Sequence, residues 1–428
     1  MATAQAGQPT HPAKSQPPPG GPLSRANVTP LPSSRLITGA SWLTGRYNPP
    51  ANQWGDILPT VWSNDGSTYV LMDDGGVDVP KPGGFWRQSL AKITGAPPHL
   101  RFQRVGGALP PPHTWSEIGG DPDNDDGPLG PYYSTGFAEA GGVFYATQQR
   151  NWNWAANGSY TGLVGIAYST DHGNTWGFPS KPFPAPLGNL NFVDGGGPGG
   201  AYPDGYMYAI GTEREFNASR MVLGRVQTGV ANVTDPSHWQ WYAGSTTGAG
   251  GASVPKWTTS LAAAVPTLNW SGHITYPQMA YDPGLHRYLL TFTYSYHAQA
   301  PALWKGGAQL VIAESANPWG PFSFVATSRN FGPSNGYGAA FPSQWMSRDG
   351  RTLWLKWAAN FDGCAKGLDC SGVYGFNVAE VRLTAKAPAA KPASATAAQA
   401  RRRHKLLYVL SGLSLPLLLV FAVRRRLV

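Results

Sequence analysis

Cysteine, methionine and charge are all scarce in this chain. Of its 428 residues only Cys364 and Cys370 are cysteine, and six are methionine. Two thiols cannot complete the four-ligand shell of a structural zinc site, and no pair of histidines stands near them at ligand spacing. A small disulfide closing CAKGLDC is the expected use of the pair, with two unrelated thiols as the alternative. No metal and no cofactor is expected. Charged residues make up 13% of the chain, and the body shows little helical periodicity. The first residues hold no apolar core of about 7–15 residues, so no secretion signal is recognisable there.

The formal charge of +9 is not spread over the chain. Residues 386–428 carry nine Lys/Arg and no acid, and residues 1–35 carry three more, which leaves −3 for the body between them. A basic groove is therefore excluded for the folded part, and with it a nucleic-acid partner.

What the chain has in abundance is glycine (54), proline (40) and aromatics (17 Trp, 19 Tyr, 16 Phe). That mixture suits many short strands joined by turns and argues against disorder throughout. Five apolar, β-rich runs are broken by a tight turn and resume: Asp65-Gly66, Gly141-Gly142, Asp204-Gly205, Pro283-Gly284 and Asp349-Gly350. Positions 66, 142, 205, 284 and 350 stand 76, 63, 79 and 66 residues apart, room for one four-stranded sheet each. The expected fold class is all-β: a five-bladed β-propeller, with a disordered N-terminal arm and a C-terminal transmembrane helix.

Composition divides the chain four ways. Residues 1–35 read as a Pro-rich flexible arm and 36–385 as the propeller. Residues 386–405 read as a low-complexity basic spacer. Residues 406–423 are eighteen uncharged, mostly apolar residues between RRRHK and Arg424-Arg-Arg426. At about 1.5 Å per residue they just reach across a bilayer's hydrocarbon core, so a single-pass anchor in the lipid bilayer is expected, with a buried terminal helix as the alternative. Arginines on both sides leave the orientation open.

Three motifs read as architecture. Ser169-Thr-Asp-His-Gly-Asn-Thr-Trp176 matches S-x-D-x-G-x-T-W, the Asp box of sialidase-like propellers, in which the aspartate bonds turn amides and the tryptophan packs on the sheet. Gly195–Gly200 has the letters of a dinucleotide loop but is followed by a strand, which excludes that use. Asp121–Gly127 resembles the opening of a calcium loop, but its glycine is one place late and Tyr132 stands where a glutamate belongs.

Chemistry is expected in the segment from Trp54 to Gly76. Asp56 opens the first inner strand, and Asp74 lies eighteen residues later, past the second strand of the same hairpin. A hairpin returns the chain to where it began, so both carboxylates belong at one rim. Two adjacent carboxylates are what glycosidic cleavage needs, one to protonate the leaving oxygen and one to attack or to activate water. The alternative is that Asp56 caps a strand and Asp74 bonds a glycine turn. Polar residues beside the other turns, Glu139, Gln278 and Gln344 among them, are expected to line the same funnel. Trp152 and Trp154, with Arg150, offer a stacking platform for sugar rings, with core packing as the alternative.

At these residues the chain resembles a family of bacterial and fungal five-bladed propellers, some of whose members are endo-D-arabinanases. The resemblance covers about residues 40–384. It rests on GDILPTVWSNDGSTYVLMDDGG, RMVLGRV with WQWYAG, ITYPQMAYDPGLHRYLL, ANPWGPF and FPSQWMSRDGRTLWL, in that order. It implies that Asp56 and Asp74 are the functional pair. The family commonly reads Gly-Asp-Gly-Gly where this chain has Asp73-Asp74-Gly75-Gly76, which sets Asp73 beside the site as a further substrate contact. The function expected is a membrane-anchored, extracytoplasmic glycoside hydrolase acting on a polysaccharide of arabinan type. The alternative is a non-catalytic carbohydrate-binding or scaffold propeller. A true sialidase is disfavoured because the Asp box stands alone and no Arg-Ile-Pro occurs.

Overall fold

The computed structural model describes residues 15–47, 52–78, 84–106, 113–114, 133–149, 163–178, 181–200, 202, 204–248, 251, 253–296, 307–332, 335–360 and 373–386. Arg150, Trp152, Trp154, Cys364, Cys370, the loop 121–127 and the apolar span 406–423 lie outside them. Among the described residues no helix is long and apolar enough to cross a membrane.

The protein is all-β. Five antiparallel meanders follow one another along the chain. The first has an interrupted opening strand, Gln53–Asp56 and Thr60–Trp62, followed by Thr68–Val77, Gly84–Thr94 and Arg101–Val105. The second runs through Phe137–Ala140, Val143–Gln149 and Leu163–Ser169. The third runs through Asn189–Phe192, Tyr206–Thr212, Ala218–Gln227 and Gln240–Thr247. The fourth comprises Leu268–Asp282, Arg287–Ser295, Ala308–Ser315 and Ser323–Phe331. The fifth comprises Gly336–Ala340, Thr352–Ala359 and Asn377–Ala385, and its outer strand is the N-terminal Ile37–Trp42.

Each of the five glycine turns joins the first strand of a meander to its second. The opening strands touch in order, first to second through to fourth to fifth, and the second strand of the fifth meander meets the first strand of the first. Their side chains are apolar on both faces because each sheet is covered on both sides. Val70 and Met72 pack with Ile57, Tyr276, Tyr337 and Phe376, while Tyr69 and Leu71 pack with Phe137 and Phe144. The strand TYVLM therefore reads as a continuous apolar run rather than an alternating one.

The Asp-box segment closes on itself. Asp171 accepts from the Thr175 amide at 2.9 Å, the Thr175 hydroxyl at 2.6 Å and the Ser169 hydroxyl at 2.7 Å. The indole of Trp176 donates to the Gly173 carbonyl.

The N-terminal arm departs from expectation. From Gly21 onward it is tied to the outer edge of the fourth meander. Gly21 and Ser24 amides donate to the Arg329 and Thr327 carbonyls, Ser34 donates to Phe324, and the Ser34 hydroxyl reaches Glu314 at 2.6 Å. An open sheet edge offers unpaired backbone groups, and an extended Pro-rich segment can cover them without folding.

Candidate active site

The first strand of the first meander breaks immediately after Asp56. Ile57 and Leu58 both take left-handed backbone (φ 56° and 58°), and Leu58 N–H donates back to the Asp56 carbonyl at 2.6 Å before Pro59 restarts the strand. Across the ladder Trp54 pairs with Gly76 and Asp56 with Asp73, so three residues of one strand face four of the other. This is a β-bulge, and it re-aims a side chain. The extra residue is Asp74, itself left-handed at φ 46°. Gly75 makes the bulge possible, because a Cβ there would stand 2.1 Å from the Trp54 carbonyl oxygen. Two consecutive carboxylates, Asp73 and Asp74, are thereby brought beside Asp56 instead of alternating across the sheet.

Every other meander sends a side chain to the same end. Tyr133, just before the second, donates to Asp74 Oδ2 at 3.3 Å. Glu215, between the second and third strands of the third, accepts from Gln149 Nε2 and from Tyr276 of the fourth. Tyr337 of the fifth donates to Asp56 Oδ2 at 2.9 Å, and Tyr374, before the last strand, also lowers the proton affinity of Asp56 by hydrogen bonding. Arg87, 6% exposed, puts Nη1 2.6 Å from Asp74 Oδ1 and 2.6 Å from the Tyr133 hydroxyl, with its guanidinium 4.9 Å above the Tyr133 ring. Asp74 keeps 13% of its side chain exposed. Asp56 is partly buried and Glu215 is buried.

Four carboxyls and one guanidinium in a largely dry site cannot all be ionised cheaply. Burial, then the nearby Asp74, pushes Asp56 well above the usual carboxylate range. Burial, then Asp56 and Asp74, does the same to Asp73 against the Ser134 amide. Asp74 is raised by burial, but Arg87 opposes the rise. Burial lifts Glu215 to about 7. Tyr133, Tyr276, Tyr337 and Tyr374 are all pushed well above the ordinary phenol value, chiefly by burial, so they stay hydroxyl donors. Proton-holding acids beside an Arg-held carboxylate make a site that can give and take protons near neutrality. Left-handed backbone at Ile57, Leu58, Asp74 and Tyr276 adds strain of the kind that persists only where the surroundings enforce it.

The remaining sequence-predicted residues among those described do not join this cluster. Asp73 is next to it but fully buried, with both oxygens turned to the Ser134 amide, which leaves no surface for a substrate. Gln344 accepts from the Thr68 hydroxyl and donates to the Gly66 carbonyl at 2.8 Å. Glu139 accepts from the Asn64 amide at 3.2 Å. Both lie at the Asp65-Gly66 turn, about 17 Å along the strand from Asp73 at ~3.3 Å per residue. Gln278 lines a cavity of about 30 Å³ between the opening strands, with Pro59, Phe137, Phe192, Asp194 and Phe341. The reason is polarity of the strands: residues beside a glycine turn finish the opening strand at the end away from the acids. Arg87, Tyr133, Glu215, Tyr337 and Tyr374, which sequence reasoning did not single out, precede or begin opening strands, lie on later strands or sit in later connections. The available signal for Glu215 was a carboxylate placed between two strong strands, in TEREFN.

No protein-family model matches the chain, and no curated protein does. Solved structures similar to it include glycoside hydrolases. The α-L-arabinofuranosidase of Podospora anserina in complex with cellotriose is 9% identical with a TM-score of 0.40, covering 86% of this chain and 98% of that one. The catalytic domain of the Coprinopsis cinerea GH62 α-L-arabinofuranosidase is 11% identical with a TM-score of 0.40, covering 87% and 100%. A GH43 β-xylosidase/α-arabinofuranosidase from a compost microbial metagenome, in complex with xylotriose, is 11% identical with a TM-score of 0.42, covering 79% and 93%. Similarity at this level carries no argument about the reaction, which rests on the site itself.

Proposed function

We propose that the five meanders are the blades of a β-propeller and that the chain is a glycoside hydrolase cleaving glycosidic bonds in a polysaccharide of arabinan type. One observation carries this reading: side chains from all five meanders converge on Asp56 and Asp74, with the Arg87 guanidinium on Asp74. Asp74, held by Arg87 and Tyr133, is the anionic member and serves as base or nucleophile. Asp56, which has tyrosine hydroxyls and, among the described residues, no cation paired with it, keeps the proton and delivers it to the leaving oxygen. Glu215 adds a third titrating carboxyl that biases the pair. The span 406–423 would tether the propeller outside the cytoplasm.

The test is sugar release from a panel of furanose and pyranose glycans by Asp56→Asn and Asp74→Asn. Both variants should lose release from natural glycans. Asp56→Asn should keep cleavage of aryl glycosides whose leaving group needs no proton, and Asp74→Asn should not. The opposite pattern would exchange the roles. Full activity in both variants, or glycan retention by the wild type with no product, would end the hydrolase reading and leave a binding propeller.

A further inference from the structure

We propose that Lys356 is a positioning residue for Asp56: its amine, sealed between the last and first meanders, holds the left-handed Ile57-Leu58 turn that aims the Asp56 carboxyl. The inference deepens the hydrolase reading and rests on it only where activity is measured. Lys356 lies inside Thr352–Ala359 and is 0% exposed. Its Nζ donates to the Leu58 carbonyl at 2.6 Å and reaches the Ile57 carbonyl at 3.5 Å. Burial is what lowers its proton affinity, to about 7. A lysine is almost never fully buried without a paired charge, so this one calls for a reason.

The reason lies in what the carbonyls belong to. Ile57 and Leu58 are consecutive non-glycine residues at positive φ, and for a β-branched residue that conformation is a genuine outlier. It persists only when neighbours enforce it. Lys356 takes hold of both carbonyls from one side. On the other, Gly338 at φ 60° leaves open the space where the Ile57 oxygen passes, since a Cβ there would be 2.6 Å away. The residue before the turn is Asp56, whose carbonyl accepts from Leu58. Tyr337, which donates to the Asp56 carboxylate, pairs with Ala358, two residues beyond Lys356. The fifth meander thus grips Asp56 twice, through its carboxylate and through the turn that follows it.

The experiment uses the full chain with Lys356→Met, which keeps volume and removes the donors, and Lys356→Gln, which keeps amide N–H donors on a shorter side chain. In a crystal structure of Lys356→Met, Ile57-Leu58 should leave the left-handed region and the Asp56–Tyr337 bond should lengthen beyond ~3.5 Å. Its melting temperature should equal or exceed the wild type's, because a fully buried amine has gone. On a glycan the wild type cleaves, kcat should fall roughly 10- to 100-fold with KM little changed, and Lys356→Gln should recover part of kcat. An unchanged turn and an unchanged Asp56–Tyr337 distance overturn the proposal. So does a lower melting temperature with the turn intact, which marks a purely structural lysine. Should the wild type cleave no glycan, the hydrolase reading falls while the crystal comparison still decides the role of Lys356. Should Lys356→Met fail to fold, a through-hydrogen-bond NMR correlation from Lys356 Nζ to the Leu58 carbonyl in the wild type supports the proposal, and its absence overturns it.

Discussion

Replacing Glu215 with glutamine should change how stability depends on pH, by an amount the structure sets. Burial lifts the Glu215 carboxyl from its ordinary 4.5 to about 7. Between those values the folded protein binds the proton more tightly than the unfolded chain. The resulting stabilisation is fully present below about pH 4.5 and is lost as pH rises through about 7. A shift of that size, at ~1.4 kcal/mol per unit, is worth about 3 kcal/mol. Glu215 is 4% exposed, so solvent screening takes little of it away. Glu215→Gln removes the titration and keeps an acceptor for Gln149 and Tyr276. Urea unfolding of both proteins from about pH 4.5 to about pH 8 should show the variant gaining about 3 kcal/mol on the wild type across that range. Asp56, Asp73 and Asp74 titrate in both proteins, so the difference reports position 215 together with its charge effect on Asp56 and Asp73. Curves that stay parallel would refute the claim that Glu215 sits in a dry site next to other carboxyls.

Arg87→Met should cost about 3–5 kcal/mol, because it strands a buried carboxylate beside Asp56, and it should leave Asp74 protonated at neutral pH; urea unfolding with carboxyl titration by NMR checks both. Gly75→Ala should lose about 2 kcal/mol or more by driving Trp54 away from the bulge, whereas Gly66→Ala, with nothing within 4 Å of its added methyl, should lose only about 1 kcal/mol from its left-handed backbone. Equal losses in the two glycine variants, read from urea midpoints, would show that close packing at the bulge is unimportant.

Spacing in the sequence captures the repeat because each glycine turn needs a conformation other residues resist, and because the strands beside it are apolar on both faces. The relation of Asp56 to Asp74 is legible for a related reason: the two ends of a hairpin must lie together. What spacing does not reveal is direction. A turn residue and a strand-start residue are equally conspicuous in a sequence, yet they stand at opposite ends of the sheet, which is why Glu139 and Gln344 sit far from the acids and Tyr133, Glu215 and Tyr337 sit among them. Nor does it reveal the bulge. DDGG reads as a polar turn, and only the ladder shows that an extra residue keeps Asp74 beside Asp56 while Asp73 is buried against Ser134.

The placement of these residues gives the closing seam a chemical consequence. Asp56 stands in the first meander, but what fixes it comes from the fifth: the Tyr337 hydroxyl on its carboxylate, the Lys356 amine on the turn behind it, and the Gln53 amide oxygen taking the Phe376 amide at 2.9 Å two strands along. The fifth meander in turn is completed by Ile37–Trp42 from the N-terminal side of the first. Joining the two ends of the body and aiming the acid are therefore one event. Damage to the outer strand Ile37–Trp42, which ends 14 residues before Asp56, should reach the site through Asp56 before it reaches Glu215, whose partners Gln149 and Tyr276 belong to meanders that the seam does not hold.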